Sequence, residues 1–344
     1  MSKRIGKIEQ LDSLRAFAAF SVIIYHFLPV FNLGSFPLGW IGVDLFFVFS
    51  GYLITAILLE QKSIVNKKFI IVKNFIIKRA LRLFPAYYLF ITFFLFLMIV
   101  FRLYIWDKGD AVYYYTYTQN ILFFKNGMKG TQLNHLWTLA VEEQFYIFWP
   151  WLVIYIDNKK LLKILFVTII ITLLFKSFTE IDRIRMLTFY HFDTLGSGAL
   201  IAVLIKEKGQ YFLSPLYKFK YLIILLSMIT LTISLYFKIP HLFIVSSVLM
   251  LSVSLLIGSL FGFKGIVGKI LNLPKLKYLG KISYGLYLYH KPIPYFINLF
   301  NQRIFRLNNF IALILGISLT IIIAHLSYNL LEKRFLKLKE KFDL

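Results

Sequence analysis

Apolar residues fall into long runs along this chain, where a soluble sheet or helix would alternate apolar and polar positions. A helix needs about 20 mainly apolar residues to cross the roughly 30 Å hydrocarbon core of a bilayer. The runs of suitable length predict about ten spans, at residues 14–31, 39–59, 83–101, 136–156, 161–176, 186–205, 219–237, 241–262, 282–300 and 309–331. The pattern therefore predicts an all-α integral membrane protein, a bundle of about ten transmembrane helices.

Two segments between these runs have a different pattern. Residues 70–82 (IIVKNFIIKRALR) mix apolar side chains with cations, which predicts an amphipathic helix lying at the membrane surface. Residues 111–124 (AVYYYTYTQNILFF) are aromatic and polar, and aromatic residues of this kind collect at the membrane–water interface. We therefore expect an interfacial segment there, and no further span.

Composition supports a membrane protein and changes how the charge is interpreted. Of the 344 residues, 59% are hydrophobic and 16% are charged, whereas about a quarter of the residues in a soluble domain are charged. The net charge of +23 would suggest a nucleic-acid partner in a soluble protein. Here most Lys and Arg lie in short loops on one side of the predicted spans, as the positive-inside rule requires of cytoplasmic loops.

We accordingly expect both termini in the cytoplasm, contact with the lipid bilayer, and no nucleic-acid partner. The basic side remains suited to an anionic ligand, such as a lipid headgroup or a phosphorylated cofactor. The chain contains no cysteine, which excludes disulfides, cysteine metal ligands and a thiolate nucleophile. We expect a single membrane domain over residues 1–344, with no appended soluble domain.

Ionisable residues inside the predicted spans are few. A charged side chain at the bilayer centre costs about 2.5–3.5 kcal/mol on insertion scales, so each such residue is a candidate for function. They are Arg15, His26, Asp44, Glu142, Glu143, His191, Asp193, His290 and His325. Arg15 and His26 are separated by close to three turns of one helix, so they project from the same face, about 16 Å apart along the axis.

Most of the other ionisable residues are predicted at a depth similar to that of His26. Helices that begin at the extracytoplasmic face carry four of them in their first turns: Asp44, Glu142, Glu143 and Asp193. His290 falls near mid-membrane, and His325 falls in the inner half. Several ionisable groups at one depth are costly unless they line a shared wet cavity. We therefore expect one polar cavity, with His325 a weaker candidate for it.

A histidine beside carboxylates is the usual equipment for general-base catalysis, because the carboxylate fixes the tautomer and the other ring nitrogen takes a hydroxyl proton. The same groups serve proton-coupled transport of a sugar or organic acid, and composition and depth do not choose between the two. An anchoring arginine with a hydrogen-bonded core histidine is a third interpretation. No close pairing such as H-E-x-x-H occurs, so a metal site is not expected.

A compact basic cluster precedes the third predicted span, in the segment KRALRLFPAYY. Arg79 and Arg82 are three residues apart and would share a helix face beside Lys78, where their guanidinium groups could hold a phosphate. Basic residues that only anchor the helix at the cytoplasmic face, as the positive-inside rule describes, would give the same sequence pattern.

Taken in order, these segments resemble the acyltransferase-3 family of membrane acyltransferases. The resemblance runs from about residue 11 to 335 and is carried by seven segments: LDSLRAFAAFSVIIYHF, GVDLFFVFSGYLI, KRALRLFPAYY, HLWTLAVEEQFYIFWP, FDTLGSGAL, LGKISYGLYLYH and LSYNLLEKRF. It implies transfer of an acyl group, commonly acetyl from acetyl-CoA, to sugar or other hydroxyls on the extracytoplasmic side. Some members carry a C-terminal hydrolase-like domain, which is not expected here.

Carried onto this chain, the resemblance implies His26 as the catalytic base and Arg15 as its essential partner. Acyl-CoA would be a co-substrate and not a permanently bound cofactor, and the acceptor would be a carbohydrate or glycolipid of the cell envelope. The predicted site comprises catalytic His26, Arg15, Asp44, Glu142 and Glu143, donor-binding Arg79, Arg82 and Arg15, and substrate-binding Trp137, Asp193, Tyr289 and His290.

The expected function is therefore membrane O-acetyl transfer in the bacterial inner membrane, and a proton-coupled carrier is the alternative. Asp44 or a nearby glutamate would orient the His26 ring. Direct transfer and an acyl-enzyme intermediate both stay open, and Ser50 is the first serine to test for an adduct. The identity of the acceptor, the length of the acyl chain and the oligomeric state are not set by the sequence.

Overall fold

The computed structural model describes residues 8–100, 109–128, 132–179, 182–237, 241–301 and 307–342, and all regular secondary structure in these ranges is helical. The first part of the chain forms α1 (Glu9–Val30), α2 (Ile41–Ile64), α3 (Lys68–Val100), α4 (Asp110–Tyr115), α5 (Gln119–Asn126), α6 (Trp137–Tyr155), α7 (Asn158–Phe178) and α8 (Phe192–Lys208). The second part forms α9 (Ser214–Lys218), α10 (Lys220–Tyr236), α11 (His241–Phe261), α12 (Gly265–Leu271), α13 (Pro274–Lys281), α14 (Ser283–Tyr289), α15 (Pro292–Phe300), α16 (Asn309–Ser327) and α17 (Lys333–Lys337).

Short helices of other types join these elements. Turns of 3₁₀-helix lie at Asn134–Leu136, Asp182–Met186, Thr188–His191, Gln210–Leu213 and Leu338–Phe342. A π-helical turn, Tyr328–Glu332, connects α16 to α17. Such turns are rare and often occur at functional sites.

The described residues contain seven helices long and apolar enough to cross a membrane. They are α1, α2, the segment Lys68–Leu97 of α3, α7, Thr188–Lys208, α11 and Asn309–Phe342. Helices α9 and α10 meet at an angle of 59° and would make an eighth span if they are counted as one. The protein is thus a multi-pass membrane protein, while ten spans and cytoplasmic termini remain predictions.

The predicted spans at 136–156 and 282–300 differ from these seven helices. The first corresponds to α6, in which Glu142, Glu143 and Gln144 lower the mean hydropathy. The second is divided into α14 and α15, because the helical hydrogen bonding is interrupted at His290 and Lys291, although the backbone angles of both residues stay helical. Pro292 follows directly, and a proline has no N–H for the helical ladder.

The two segments with a mixed pattern have different outcomes: the first differs from expectation, whereas the second forms two short helices and, among the described residues, no further span, as predicted. Residues 70–82 are not a separate surface helix, because they continue without a break into the third span as part of α3. Val72 and Phe75 of this segment are buried against other helices. Residues 111–124 form α4 and α5, which pack into the bundle with Tyr114 and Phe123 buried.

Close contact between α2 and α8 depends on two glycines. A Cβ atom on Gly51 would overlap the backbone oxygen of Leu195, and one on Gly198 would overlap the backbone oxygen of Val48. Small residues allow membrane helices to approach this closely and to gain backbone packing that lipid cannot supply. The contact fixes the backbone on either side of Gly51, including the neighbouring Ser50.

Candidate active site

A cavity of about 370 Å³ lies among α1, α2, α3, α6 and α14, and we call it the Arg15 cavity. Its lining follows α2 from Ile57 to Val43, which at 1.5 Å per residue is roughly 21 Å. Asp12 and Arg15 of α1 line the cavity towards the N-terminal end of that helix, beside Lys281. The other end of the cavity is closed by side chains of α6 and α14.

Positive charge dominates the lining of the Arg15 cavity. Four cations, Arg15, Arg79, Arg82 and Lys281, face three carboxylates, Asp12, Glu142 and Glu332. The Arg79 guanidinium lies over the rings of Phe75 and Tyr146, at 5.3 and 5.4 Å from their centroids. These cation–π contacts hold a planar, multidentate donor at the wall of the cavity, which suits recognition of a phosphate.

A hydrogen-bonded chain lies midway along the same cavity. Ser50 Oγ donates to Glu142 Oε1 at 2.8 Å, and the Tyr146 hydroxyl donates to Ser50 Oγ at 3.2 Å. Glu142 is therefore placed to accept a proton from Ser50. The neighbouring Glu143 points away from the cavity into the protein, where one of its carboxylate oxygens has no hydrogen-bond partner among the described residues.

His26, His135 and His290 form a second group, which we call the histidine cluster. His26 Nδ1 lies 3.0 Å from His290 Nε2. The rings of His135 and His290 meet edge-on, with centroids 4.8 Å apart. His290 is fully buried, whereas His26 is half-buried. Among the described residues, the lining of the Arg15 cavity includes none of the three.

A thin layer of hydroxyl groups separates the Arg15 cavity from the histidine cluster. Thr138 and Tyr287 both line the cavity, and Thr138 Oγ1 donates to Tyr287 Oη at 2.7 Å. The Tyr287 hydroxyl in turn donates to the backbone oxygen of His135 at 3.1 Å. The cavity therefore ends one side chain away from the cluster.

Asp44 and Asp193 lie in a third place, beside a buried lysine. Lys176 Nζ and Asp193 Oδ2 form an ion pair of 2.7 Å in which both side chains are buried. Asp44 is within electrostatic range of both of these groups. The expectation that Asp44 or a glutamate orients His26 is therefore wrong: the side chain hydrogen-bonded to the His26 ring is His290.

The residues predicted to bind the acceptor are also not gathered in the Arg15 cavity. Trp137 packs against the rings of Phe47 and His191, with centroids 6.4 and 5.2 Å away. The Tyr289 hydroxyl is 2.8 Å from Ser327 Oγ. With His290 in the histidine cluster, the cavity brings together Arg15, Arg79, Arg82 and Glu142 from the predicted site.

Several residues of the site were not among the sequence candidates. His135 lies just before an apolar run and was not counted as an intramembrane residue, although the segment HLWTLAVEEQFYIFWP begins with it. Tyr287 and Thr138 carry no charge, so a search for buried charges passes over them. Glu332, in the π-helical turn, accepts a hydrogen bond from Ser327 at 3.1 Å. Among the described residues, no group of three His, Asp or Glu side chains is arranged to hold a metal ion.

Comparison with known proteins gives the same family as the sequence motifs. A family model described as "Acyltransferase domain" matches residues 8–328. The chain is 30% identical over 97% of its length to "Putative O-acetyltransferase SACOL0978" of Staphylococcus aureus strain COL, covering 58% of that protein. It is 31% identical over 95% of its length to "Putative peptidoglycan O-acetyltransferase YrhL" of Bacillus subtilis strain 168, covering 54% of it.

A third relative is "O-acetyltransferase OatA" of Staphylococcus aureus strain NCTC 8325, which is 29% identical over 94% of this chain and 56% of its own length. The chain thus spans just over half the length of these curated relatives. No solved structure matches it. The family match covers α1 to the start of the π-helical turn, and with it the histidine cluster and all the lining residues of the Arg15 cavity except Glu332 and Leu336. The chain therefore belongs to the acyltransferase-3 family of integral membrane acyltransferases.

Proposed function

We propose that this protein is an O-acetyltransferase of the bacterial inner membrane, which moves an acetyl group from cytoplasmic acetyl-CoA to a hydroxyl of a cell-envelope carbohydrate. The observation that carries the proposal is the cation-lined Arg15 cavity ending at Tyr287, one layer from the histidine cluster. The name of the YrhL relative refers to peptidoglycan, so a peptidoglycan-type glycan is the first acceptor to test. The predicted cytoplasmic N-terminus would put the Arg15 end of the cavity on the side of the donor.

The cations of the cavity would bind the donor. Phosphate oxygens would receive charge-assisted hydrogen bonds from Arg79 and Arg82, with Arg15 and Lys281 adding positive charge. The thioester arm would then extend along α2 towards Thr138 and Tyr287. A lining that is roughly 21 Å long supports an extended ligand of this kind.

The histidine cluster would act on the acceptor. His26 would take the proton of the acceptor hydroxyl while the oxygen attacks the thioester carbonyl. The C–S bond breaks, the CoA thiolate leaves, and the proton held by His26 completes the balance by protonating the thiolate. The half-buried position of His26 supports an approach by an acceptor that does not pass through the Arg15 cavity.

A two-step variant of this reaction would use Ser50. Glu142 would take the Ser50 proton, since their oxygens are 2.8 Å apart, while Ser50 Oγ attacks the thioester carbonyl. The C–S bond would break, the CoA thiolate would leave with the proton held by Glu142, and the acetyl group would rest on Ser50 Oγ until the acceptor hydroxyl displaces the serine. A stable acetyl adduct in quenched reactions that is lost in Ser50→Ala would establish this route. Full labelling of the glycan by the Ser50→Ala variant, with no acetyl adduct in the wild type, would exclude the Ser50 intermediate and support direct transfer.

The test of the function is acetyl transfer from radiolabelled acetyl-CoA to envelope glycans in inverted membranes. The wild type would be compared with His26→Ala and with His325→Ala, whose histidine is hydrogen-bonded to Tyr278, away from both groups of side chains. Label in the wild type and in His325→Ala, and none in His26→Ala at equal protein level, is the expected result. Equal labelling in all three would remove His26 from the chemistry.

A solute-uptake measurement in the same membranes distinguishes a transferase from a carrier. A proton-coupled carrier would accumulate a sugar or organic acid in vesicles with no acyl donor present. Accumulation of solute without donor, together with an unlabelled glycan, would replace the transferase proposal.

A further inference from the structure

The break between α14 and α15 leaves backbone carbonyls without their usual helical partners. The last four carbonyls of a helix have no partner within it, and α14 ends at Tyr289. Leu288 O would normally accept from the N–H four residues later, but that residue is Pro292, which has none. Tyr287 and Leu288 are buried, so their carbonyls need other hydrogen-bond donors.

Histidine rings take the place of these missing donors. His290 Nδ1 is 2.6 Å from Tyr287 O, and His135 Nε2 is 3.1 Å from Leu288 O. A carbonyl oxygen accepts hydrogen bonds and cannot donate them, so both ring nitrogens must carry a proton. The helix break therefore fixes the tautomers of two histidines.

The same rule then determines the next nitrogen in the chain. A neutral imidazole carries one N–H, so His290 Nε2 is left with a lone pair. His290 is fully buried, and no carboxylate is hydrogen-bonded to it among the described residues, which favours the neutral ring. His26 Nδ1, 3.0 Å away, must then be the donor, and the backbone oxygen of Val22, which also hydrogen-bonds to the His26 ring, is an acceptor only. The remaining nitrogen of His26, Nε2, keeps a lone pair.

We propose that His290 is a positioning residue that holds His26 in the Nδ1–H tautomer and thereby directs Nε2 of His26 to the acceptor hydroxyl. The inference rests on the proposed function in naming that hydroxyl, whereas the tautomer itself follows from the contacts. A carboxylate usually holds a catalytic histidine in this way. Here a neutral imidazole does so, anchored in its turn on the carbonyl of Tyr287.

The arrangement also accommodates the proton that His26 takes up. The His26 imidazolium keeps its Nδ1–H on His290 Nε2, and that hydrogen bond becomes charge-assisted and stronger. His290 keeps its own Nδ1–H on Tyr287 O throughout. The cluster thus stabilises a transient positive charge without a carboxylate hydrogen-bonded to the His26–His290 pair among the described residues.

Two conservative substitutions separate positioning from a structural role. The amide nitrogen of Asn in His290→Asn can replace Nδ1 and still donate to Tyr287 O, but the side chain is too short to replace Nε2. Gln in His290→Gln is longer, and its amide oxygen can accept from His26. We expect His290→Asn to lower kcat about 100-fold and His290→Gln to stay within about tenfold of the wild type. The KM for acetyl-CoA should change less than about twofold in both, since the donor cavity lies elsewhere.

Equal losses in the Asn and Gln variants, or a loss confined to KM, would overturn the positioning role. A spectroscopic measurement decides the tautomer whether or not acetyl transfer is found. In ¹⁵N solid-state NMR of histidine-labelled protein in membranes, the His26 signals are assigned by their loss in His26→Asn. We expect a protonated Nδ1 and an unprotonated Nε2 in the wild type, and a shift towards the Nε2–H form in His290→Asn.

An unprotonated Nδ1 on His26 in the wild type would overturn the inference even in an active enzyme. Conversely, full activity in His26→Ala alongside the expected NMR result would overturn the proposed base and leave the hydrogen-bonded pair intact. The two failures are therefore distinguishable.

Discussion

The Arg15 cavity and the histidine cluster accommodate polar groups inside the helix bundle in different ways. The cavity collects full charges, four cations against three carboxylates, around an open volume of about 370 Å³. The cluster is packed and built from imidazoles whose protons are assigned by backbone carbonyls. Strong fields suit the binding of a highly charged ligand, whereas a defined tautomer suits proton transfer. Under the proposed function, this difference would make binding of the donor and activation of the acceptor separate tasks of the fold.

The largest effect should come from removing the base. We expect His26→Ala to lower kcat about 1,000-fold, within the range that a positioned general base contributes. The affinity for acetyl-CoA should stay unchanged, because His26 does not line the described part of the cavity. Single-turnover transfer measures the loss in rate, and equilibrium binding of labelled acetyl-CoA measures the affinity for the donor. A loss of donor binding in this variant would contradict the separation.

The buried ion pair should matter for stability and not for either task. Asp193→Asn leaves the Lys176 ammonium buried with no full counter-charge at 2.7 Å, and breaking a buried pair in this way costs about 3–5 kcal/mol. We expect a lower midpoint of thermal unfolding in nanodiscs, with kcat per folded molecule near that of the wild type. Glu207→Gln, the same carboxylate-to-amide change at a residue that accepts an exposed hydrogen bond from Asn158, is the control. A folded Asp193→Asn protein with a large loss in kcat would return Asp193 to the site.

Removing cavity charge should affect the donor alone. We expect Arg82→Ala to raise the KM for acetyl-CoA about 10- to 100-fold with little change in kcat, because a charge-assisted contact to phosphate is worth about 1.5–3 kcal/mol. Arg79→Lys should also weaken binding, since an ammonium loses the planar fork that stacks on Tyr146. Initial rates across donor concentrations give both constants. A fall in kcat with unchanged KM would place these arginines in the chemical step.

The smallest effect should come from the helix contact that supports one wall of the Arg15 cavity, because α2 lines that cavity. Gly198→Ala puts a Cβ into the backbone of Val48 and should destabilise the contact between α2 and α8 by about 1–3 kcal/mol. Gly196→Ala is the matched control, since its Cβ would meet only side-chain atoms, of which Ile169 Cγ1 is the nearest at 3.2 Å. Thermal unfolding of the two variants should differ, with the lower midpoint in Gly198→Ala. Equal midpoints would show that the helices can separate at no cost.

The sequence predicted the positions of residues along the helices better than which side chains of different helices are neighbours. The spacing of Arg15 and His26 placed them at different depths, and they indeed belong to different groups of side chains. Depth gives one coordinate, however, and Asp44 was assigned to His26 on depth alone. In the structure Asp44 faces Lys176 and Asp193 instead.

Two further differences have local causes that are visible in the chain. Pro292 and Pro294 interrupt a run that hydropathy alone counts as one span, and the break then requires His135 and His290 as capping groups. His135 lies outside the apolar run that follows it, so a search for charges inside spans did not include it. The His135 contact joins the 3₁₀ turn Asn134–Leu136 to α14 across 153 residues of sequence, and no local pattern encodes it.

The hydroxyl layer of Thr138 and Tyr287 has an electrical consequence for a protein that works across a membrane. Wherever wet space reaches deep from either face, the membrane potential falls over the thin dry part that remains, and each elementary charge crossing it exchanges about 2.3 kcal/mol per 100 mV. Under the proposed function, a neutral acetyl group would cross such a layer without electrical work, while the phosphates of its carrier would stay on Arg79 and Arg82. A layer that is one side chain thick would therefore let the acetyl group pass while it keeps the bilayer insulating to ions.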